Sequence, residues 1–467
     1  MSRAECLEAA THWFDSGEFF RVLQSRVALR TESDTGQPNL GLADYLTTEL
    51  TPALQALGFG CELVTNSVPG AGPFLIARRI EDDALPTVLG YGHGDVVSGQ
   101  DGRWREGLSP WALTVEGDRW YGRGTADNKG QHSLNLGALA SVIEARKGRL
   151  GYNLTLLFET GEEAASPGLH DICRSHADQL KADLFLASDG PRVHAAKPTL
   201  FLGSRGAVNF TLRLHCRDKA YHSGNWGGAL RNPATVLASA VASLVDGQGR
   251  ILVEALKPQG VPASVRRALA DVVIGGDADD PVPGAGWGEP GLNTAERLMA
   301  WNTIEVLALG AGNPQRPLNA IPGEAVAHCQ LRFVVGTPWQ QLAAILREHL
   351  DDRGFGDIAV EITLSGAATR LDPDNPWVAW AQRSIEASTG KRPVTLPNLA
   401  GSLPNDVFAD LLGLPTLWVP HSYPACAQHA PNEHLLASVA REGLQIMAGL
   451  YWDLGETNTF STNRSNA

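Results

Sequence analysis

The sequence has no apolar run of the ~18 residues that a membrane-spanning helix needs, so no span is expected in its 467 residues. It has no CxxC pair. Cys6, Cys61, Cys173, Cys216, Cys329 and Cys426 are scattered along the chain, the pattern of reduced thiols in a cytoplasmic protein. It is short of positive charge: 38 Lys and Arg stand against 51 Asp and Glu, for a net charge of −13. That balance excludes a general nucleic-acid or anionic-membrane binder. It places no limit on small substrates, because a local cation can outweigh the surface field. No internal repeat is evident. The first residues, MSRAECLEAATHWFDSGEFFRVL, lack a basic segment followed by an apolar one; Glu5, Glu8 and Asp15 interrupt it, and it reads as an amphipathic helix.

Hydrophobic residues make up 43% of the chain, as in a folded globular protein. Its length exceeds one ordinary core, so two or three compact units are expected. LADYLTTELTPALQALG, residues 42–58, has helical spacing that ends at Gly58, with a kink or break expected at Pro52. Short apolar runs then alternate with helical segments: Thr87–Tyr91, Asn153–Glu159, Ala182–Ser188 and, far downstream, Pro415–Pro420. Runs of this kind predict an α/β fold, a mostly parallel sheet with helices on both faces. Between about residues 205 and 365 the texture changes. VNFTLRLHCR and EAVAHCQLRFVV alternate apolar and polar residues, as strands with one wet face do. PATVLASAVASLV between them reads as a helix, and residues 275–291 as a Gly/Pro/Asp-rich loop. This predicts an α+β domain, residues 206–366, inserted into a split α/β domain, residues 1–205 and 367–467. PWVAWAQRSIEASTG restarts the α/β texture as a helix, and the polar tail from Glu456 reads as frayed.

The apolar runs end in side chains that bind metals. Thr87–Tyr91 leads into His93 and Asp95, Asn153–Glu159 into Glu162 and Glu163, Ala182–Ser188 into Asp189, and Pro415–Pro420 into a segment containing His429. Ligands of open α/β sheets bind at the carboxyl ends of the strands, so these residues are expected on one rim. Asp127, in the glycine-bearing YGRGTADNKG just before a helical segment, is placed to bridge two cations through its two oxygens. Mixed imidazole and carboxylate donors suit zinc, and manganese less exclusively. The adjacent acids Glu162 and Glu163 allow one carboxylate to coordinate and the other to move a proton.

The ordered set GHGDVV, YGRGTADNKG, ETGEEAAS, LASDG and QHAPNEH resembles the metallopeptidase family that contains carnosinase, carboxypeptidase G, aminoacylase and succinyl-diaminopimelate desuccinylase, and is nearest its carnosinase-like dipeptidases. The resemblance covers nearly the whole chain. It implies two divalent ions per subunit, Zn²⁺ or alternatively Mn²⁺. His93 and Asp189 would hold one, Glu163 and His429 the other, with Asp127 bridging and a cis peptide bond after it. Asp95 would orient His93, and Glu162 would be the general base. KAYHSGNWGGALRNPA resembles the lid motif whose histidine, here His222, reaches the partner's site in a homodimer and stabilises an oxyanion. Asn319 and Arg332 resemble lid positions that touch substrate. Gly401 and Ser402 resemble a loop that grips its carboxylate, although Ala400 stands where a glycine is usual. Cys426, three residues before His429, has no counterpart in the family's ligand set and reads as a wall or structural thiol.

The leading reading is an enzyme that hydrolyses the amide bond of dipeptides or small peptide-like substrates. An N-acyl amino acid deacylase or a carboxypeptidase of the same fold is the near alternative. A non-catalytic peptide- or amino-acid-binding protein is the alternative from another class. It predicts loss of Glu162 or of a ligand, and all of these are present.

Overall fold

A computed structural model describes residues 1–33, 39–275, 281–456 and 459–460. Most of the tail expected to fray, and part of the loop expected at 275–291, lie outside the described residues. Contacts divide the chain into two compact units: Met1–Gly203 with Leu371–Leu396 and Pro404–Ala467, and Ser204–Arg370 with Pro397–Leu403.

The first unit is built on an eight-stranded sheet. Its order is Gly60–Val64, Phe74–Arg79, Asn153–Glu159, Thr87–His93, Leu184–Ala187, Thr416–Trp418, Thr199–Phe201, Val394–Leu396. Thr87–His93 runs parallel to both neighbours, and Thr416–Trp418 parallel to Leu184–Ala187. These four strands are the four apolar runs of the sequence, and their carboxyl ends share one edge. Successive residues serve opposite faces. Val88, Leu154, Leu186 and Leu417 join the core with Leu139 and Leu444 of the helices Lys129–Ala145 and Ala437–Leu454. Tyr91, Phe185, Phe201 and Trp418 pack with Phe408 in an aromatic cluster on the other face.

Two helical readings need refinement. The N-terminal segment forms two helices, Arg3–Asp15 and Glu18–Ala28, because Gly17 turns the chain at φ 84°. The helix through Pro52 does not break. It passes from Leu40–Asp44 through a wider-register stretch, Tyr45–Leu50, into Thr51–Ala56. Pro52 lacks an N–H, and the wider register before it absorbs the fault.

The second unit holds a four-stranded antiparallel sheet in the order Thr303–Gly310, Glu324–Phe333, Gly206–His215, Ala359–Gly366. Alternate residues of Glu324–Phe333 are buried, from Ala325 to Phe333, as the period-two pattern requires. They pack with Leu237 of the helix Pro233–Leu244 and Leu346 of the helix Leu342–Asp351. Pro397–Leu403 packs in this unit as well: Arg205 Nε donates to the Ala400 carbonyl at 3.1 Å, and the Ser402 hydroxyl to the Arg205 carbonyl at 3.0 Å.

Candidate metal centre and active site

His93 ends its strand between two glycines. A Cβ on Gly94 would stand 2.5 Å from the Tyr45 ring, so the chain can turn here only without a side chain. His93 is fully buried. Its Nδ1 lies 3.1 Å from the Asp95 carbonyl oxygen, and its Nε2 lies 3.0 Å from Asp127 Oδ1 and 3.5 Å from Asp189 Oδ2. Asp95 accepts the Ser33 hydroxyl at 2.6 Å and the backbone N–H groups of Glu162 and Glu163 at 3.2 and 3.1 Å. One buried carboxylate thus ties the histidine's strand to the turn that presents both glutamates.

On the opposite side, His429 Nε2 lies 2.9 Å from Asp127 Oδ2 and 3.0 Å from Glu163 Oε2. His429 has φ 61°, and Ala427 and Asn432 are left-handed as well. Such conformations cost side-chain-bearing residues on the order of 1–3 kcal/mol each, and they gather where a site dictates the path. The loop is held from outside: Gln100 Nε2 donates to the His429 carbonyl at 3.2 Å, and the Arg105 N–H to Asn432 Oδ1 at 2.8 Å. The Asp127–Asn128 peptide bond is cis. Asn128 Nδ2 donates to the Ser188 carbonyl at 2.9 Å, joining this segment to the strand end that carries Asp189.

Among the described residues, the metal-capable donors fall into two groups whose ligand atoms lie within 4.8 Å of one another: His93, Asp127 and Asp189, and Asp127, Glu163 and His429. Asp127 belongs to both. Asp95 and Glu162 lie beside these groups without joining them. The electrostatics fit a cation site. Burial opposes charge on His93, yet Asp127, Asp189 and Asp95 raise its pKa well above the ordinary value. Burial likewise opposes ionisation of Asp127, but His429 and His93 hold its pKa far down. Burial, then the Asp127 charge, pushes Glu163 up to about 7 and raises Asp189. Glu162 is raised well above the usual carboxylate range by burial and by the charges of Asp189, Asp127 and Glu163, against the pull of His93. Asp189 Oδ2 is buried with no hydrogen-bond partner. A buried oxygen left so costs about 1–3 kcal/mol, and a cation at the first group would satisfy it.

A mixed, largely parallel sheet whose strand ends and adjoining loops bring together two imidazole–carboxylate groups sharing one aspartate fits the class of two-metal hydrolases. Residues 89–453 match the family described as Peptidase family M20/M25/M40, and the chain belongs to it. A Cys-Gly metallodipeptidase of Schizosaccharomyces pombe is 33% identical over 445 residues, spanning 89% of this chain and 90% of its own. A Beta-Ala-His dipeptidase of Mus musculus is 26% identical over 488 aligned residues, spanning 97% and 96%. In fold, the chain is similar to human carnosine dipeptidase 1, with TM-score 0.75 and 22% identity over 96% of this chain and 98% of that one. It is also similar to a metallo-carboxypeptidase from Sulfolobus solfataricus, with TM-score 0.78 and 24% identity over 94% and 99%. The chain is therefore a metal-dependent peptidase.

The remaining predicted residues belong to the second unit. His222 is exposed and accepts the Gly224 N–H on its Nδ1 at 3.1 Å. Its strand partner is Ala320, and the neighbouring Asn319 carbonyl accepts both the N–H and the hydroxyl of Ser223. Arg332 donates to Gln330 Oε1 at 2.8 Å and to the Ser402 hydroxyl at 2.9 Å, next to Gly401. Cys426 lies in neither donor group. It is buried with Ala126 and Tyr423, and burial pushes its thiol up to about 12.

Several residues around the centre are missed by the sequence reading. Ser33 supports Asp95, Gln428 donates to Asp127 Oδ2 from beside His429, and Gln131 Nε2 donates to the Ala126 carbonyl at 2.9 Å. Glu433 is buried against Arg123, with Nη1 to Oε2 at 2.7 Å. The only signal for it is an acid four residues after His429, which no periodicity separates from a surface acid.

Proposed function

We propose that the chain is a dipeptidase that cleaves the amide bond of small peptides with two divalent cations, zinc first and manganese next. The observation that carries this reading is Asp127, whose two oxygens face His93 on one side and His429 on the other. His93, Asp127 and Asp189 would hold one ion, and Asp127, Glu163 and His429 the other. Bound there, the pair would polarise a substrate carbonyl and lower the pKa of a water. Glu162, beside Glu163 yet outside both groups, takes the proton of the attacking water and passes it to the departing nitrogen. Asp95 keeps the His93 ring turned and fixes the glutamate turn. His222 donates to the developing oxyanion from the neighbouring subunit. Arg332, Asn319, Gly401 and Ser402 hold the polar ends of the substrate, the guanidinium suiting a carboxylate.

The names of the relatives, a Cys-Gly metallodipeptidase and a Beta-Ala-His dipeptidase, support dipeptides as the substrate class. A homodimer formed through the second unit is supported by its exposed edge strands: Val306, Leu307 and Leu309 on one, Ile362 and Leu364 on the other. A cytoplasmic setting is supported by six free cysteines, and among the described residues no helix is long and apolar enough to cross a membrane.

The test is hydrolysis of a panel of free dipeptides and N-acyl amino acids by metal-stripped protein, before and after Zn²⁺ or Mn²⁺. Metal-restored cleavage of dipeptides is expected. Cleavage of acyl amino acids alone would replace this reading with a deacylase.

A further inference from the structure

The segment that carries Asp127 has no regular secondary structure to hold it, and its backbone donors must go somewhere. Three of them converge on one atom. Glu433 Oε1 accepts the N–H of Gly124 at 3.0 Å, of Ala126 at 3.0 Å and of Asp127 itself at 3.1 Å. Its other oxygen accepts Arg123 Nη1 at 2.7 Å, and its own backbone carbonyl accepts the Gly122 N–H at 3.0 Å. Both partners of the ion pair are 1% exposed. Arg123 is fixed in turn by the Ser98 carbonyl at 3.0 Å and by the Trp104 ring, 5.8 Å from its Cζ. Gly130, the second residue of the following helix, lets that helix start against the same loop, since a Cβ there would collide with the Thr125 carbonyl oxygen.

Glu433 also sits four residues after His429, on the loop that supplies the second group's imidazole. A single buried carboxylate therefore sets the position of the one residue common to both donor groups, and does so from the chain segment that brings the other histidine. We infer that Glu433 is a positioning residue for the pair of metal ions: it fixes the Asp127 backbone so that both carboxylate oxygens point to the two groups at once. The charge matters as well as the shape. A carboxylate accepting several N–H donors beside a guanidinium forms stronger, more directional bonds than an amide would, and a one-ångström drift of Asp127 would spoil two sites together.

The inference rests on the reading of Asp127 as the shared ligand, and the experiment separates the two. Metal-stripped parent, Glu433→Gln, Glu433→Asp and Asp127→Asn are titrated with Zn²⁺ against a chromophoric chelator, reading stoichiometry and Kd, with thermal unfolding of each stripped protein as a control. Glu433→Gln is expected to unfold as a folded protein does and to lose about 10–100-fold in zinc affinity, the usual cost of removing such a support, with both ions weakened. Glu433→Asp keeps the charge beside Arg123 but withdraws the acceptor, and is expected to do the same. Where the glutamine variant fails to fold, the aspartate variant decides. Folded variants with parental affinity would overturn the inference while Asp127→Asn still loses zinc. Loss of fold in both would also overturn it, making Glu433 a support of the fold alone. Parental zinc binding by Asp127→Asn would instead overturn the reading of Asp127 as a ligand.

Discussion

The two units house the polar side chains singled out by the sequence in opposite ways. In the first, His93, Asp95, Asp127 and Asp189 are all at most 4% exposed, and nearly every polar atom has a fixed protein partner. In the second, His222 and Asn319 are exposed; the His222 ring accepts the Gly224 N–H, and the Asn319 carbonyl accepts from Ser223. Burial explains the first pattern: a polar group removed from water must be paired in one geometry, and that geometry is then set before substrate arrives. Solvated side chains carry no such constraint and can reorient on a substrate. The contrast separates fixed, buried donors in the first unit from solvated side chains in the second that can reorient. His429 is the exception within the first unit, because its side chain is 53% exposed and its position is held by a left-handed backbone instead of burial.

The comparison predicts a ranking of losses. Removal of metal should abolish turnover, with recovery on Zn²⁺ or Mn²⁺, because the two donor groups then hold no ion to polarise the carbonyl or activate the water. Glu162→Gln should reduce kcat by about 10²–10⁴-fold with zinc content unchanged, measured by turnover and metal analysis on one preparation. An equal loss of metal would move Glu162 from proton transfer to coordination. His222→Ala should cost about 10²–10³-fold in kcat, the range for one oxyanion donor, with the stripped protein's thermal unfolding unchanged because the side chain is exposed. If His222 acts across a dimer, mixing His222→Ala with Glu162→Gln subunits should recover activity that neither has alone.

The same contrast explains what the sequence discloses. Each catalytic strand is a short apolar run, and the donors follow within a few residues, so His93, Asp95, Glu162, Glu163 and Asp189 can be found by asking what ends each run. The period-two strands of the second unit are equally legible, because burial on one face writes alternation directly. What stays hidden works through the backbone. Glu433 and Ser33 act on N–H groups or on another carboxylate, contacts that leave no spacing rule. The short three-stranded sheet of Thr114–Glu116, Arg119–Tyr121 and His434–Leu436 is hidden for a related reason: its strands are three residues long, and the third is far from the first two in sequence. The path of Pro397–Leu403 into the second unit follows from hydrogen bonds to Arg205, which composition does not reveal.

Asp95 offers a smaller, sharper test. Asp95→Asn keeps size and one acceptor but loses the charge that holds two N–H groups and faces His93. About 10–100-fold in zinc affinity or turnover is expected. A variant with parental affinity would mean that the His93 orientation is set by the Asp95 carbonyl alone, which Nδ1 meets at 3.1 Å.

The smallest predicted effect distinguishes the units by pH. His349 lies in the second unit, with Nε2 2.9 Å from the Ser243 carbonyl and 3.2 Å from its hydroxyl. Burial, then the nearby Arg353 charge, depresses its pKa below the ordinary value. A depressed histidine takes up its proton less readily folded than unfolded, so its contribution to stability is present above the unfolded pKa of about 6.5 and is lost as the pH falls through it. His349→Gln should therefore flatten the acid side of the second unit's stability profile, and by the same amount with and without metal. The first unit should behave differently. Its donors must be deprotonated to bind cations, so the stabilisation that metal gives it should fade on acidification, and His349→Gln should not alter that loss. Thermal unfolding between about pH 5 and 8, with and without Zn²⁺, checks both. A metal-dependent effect of His349→Gln would show that the two units do not unfold independently.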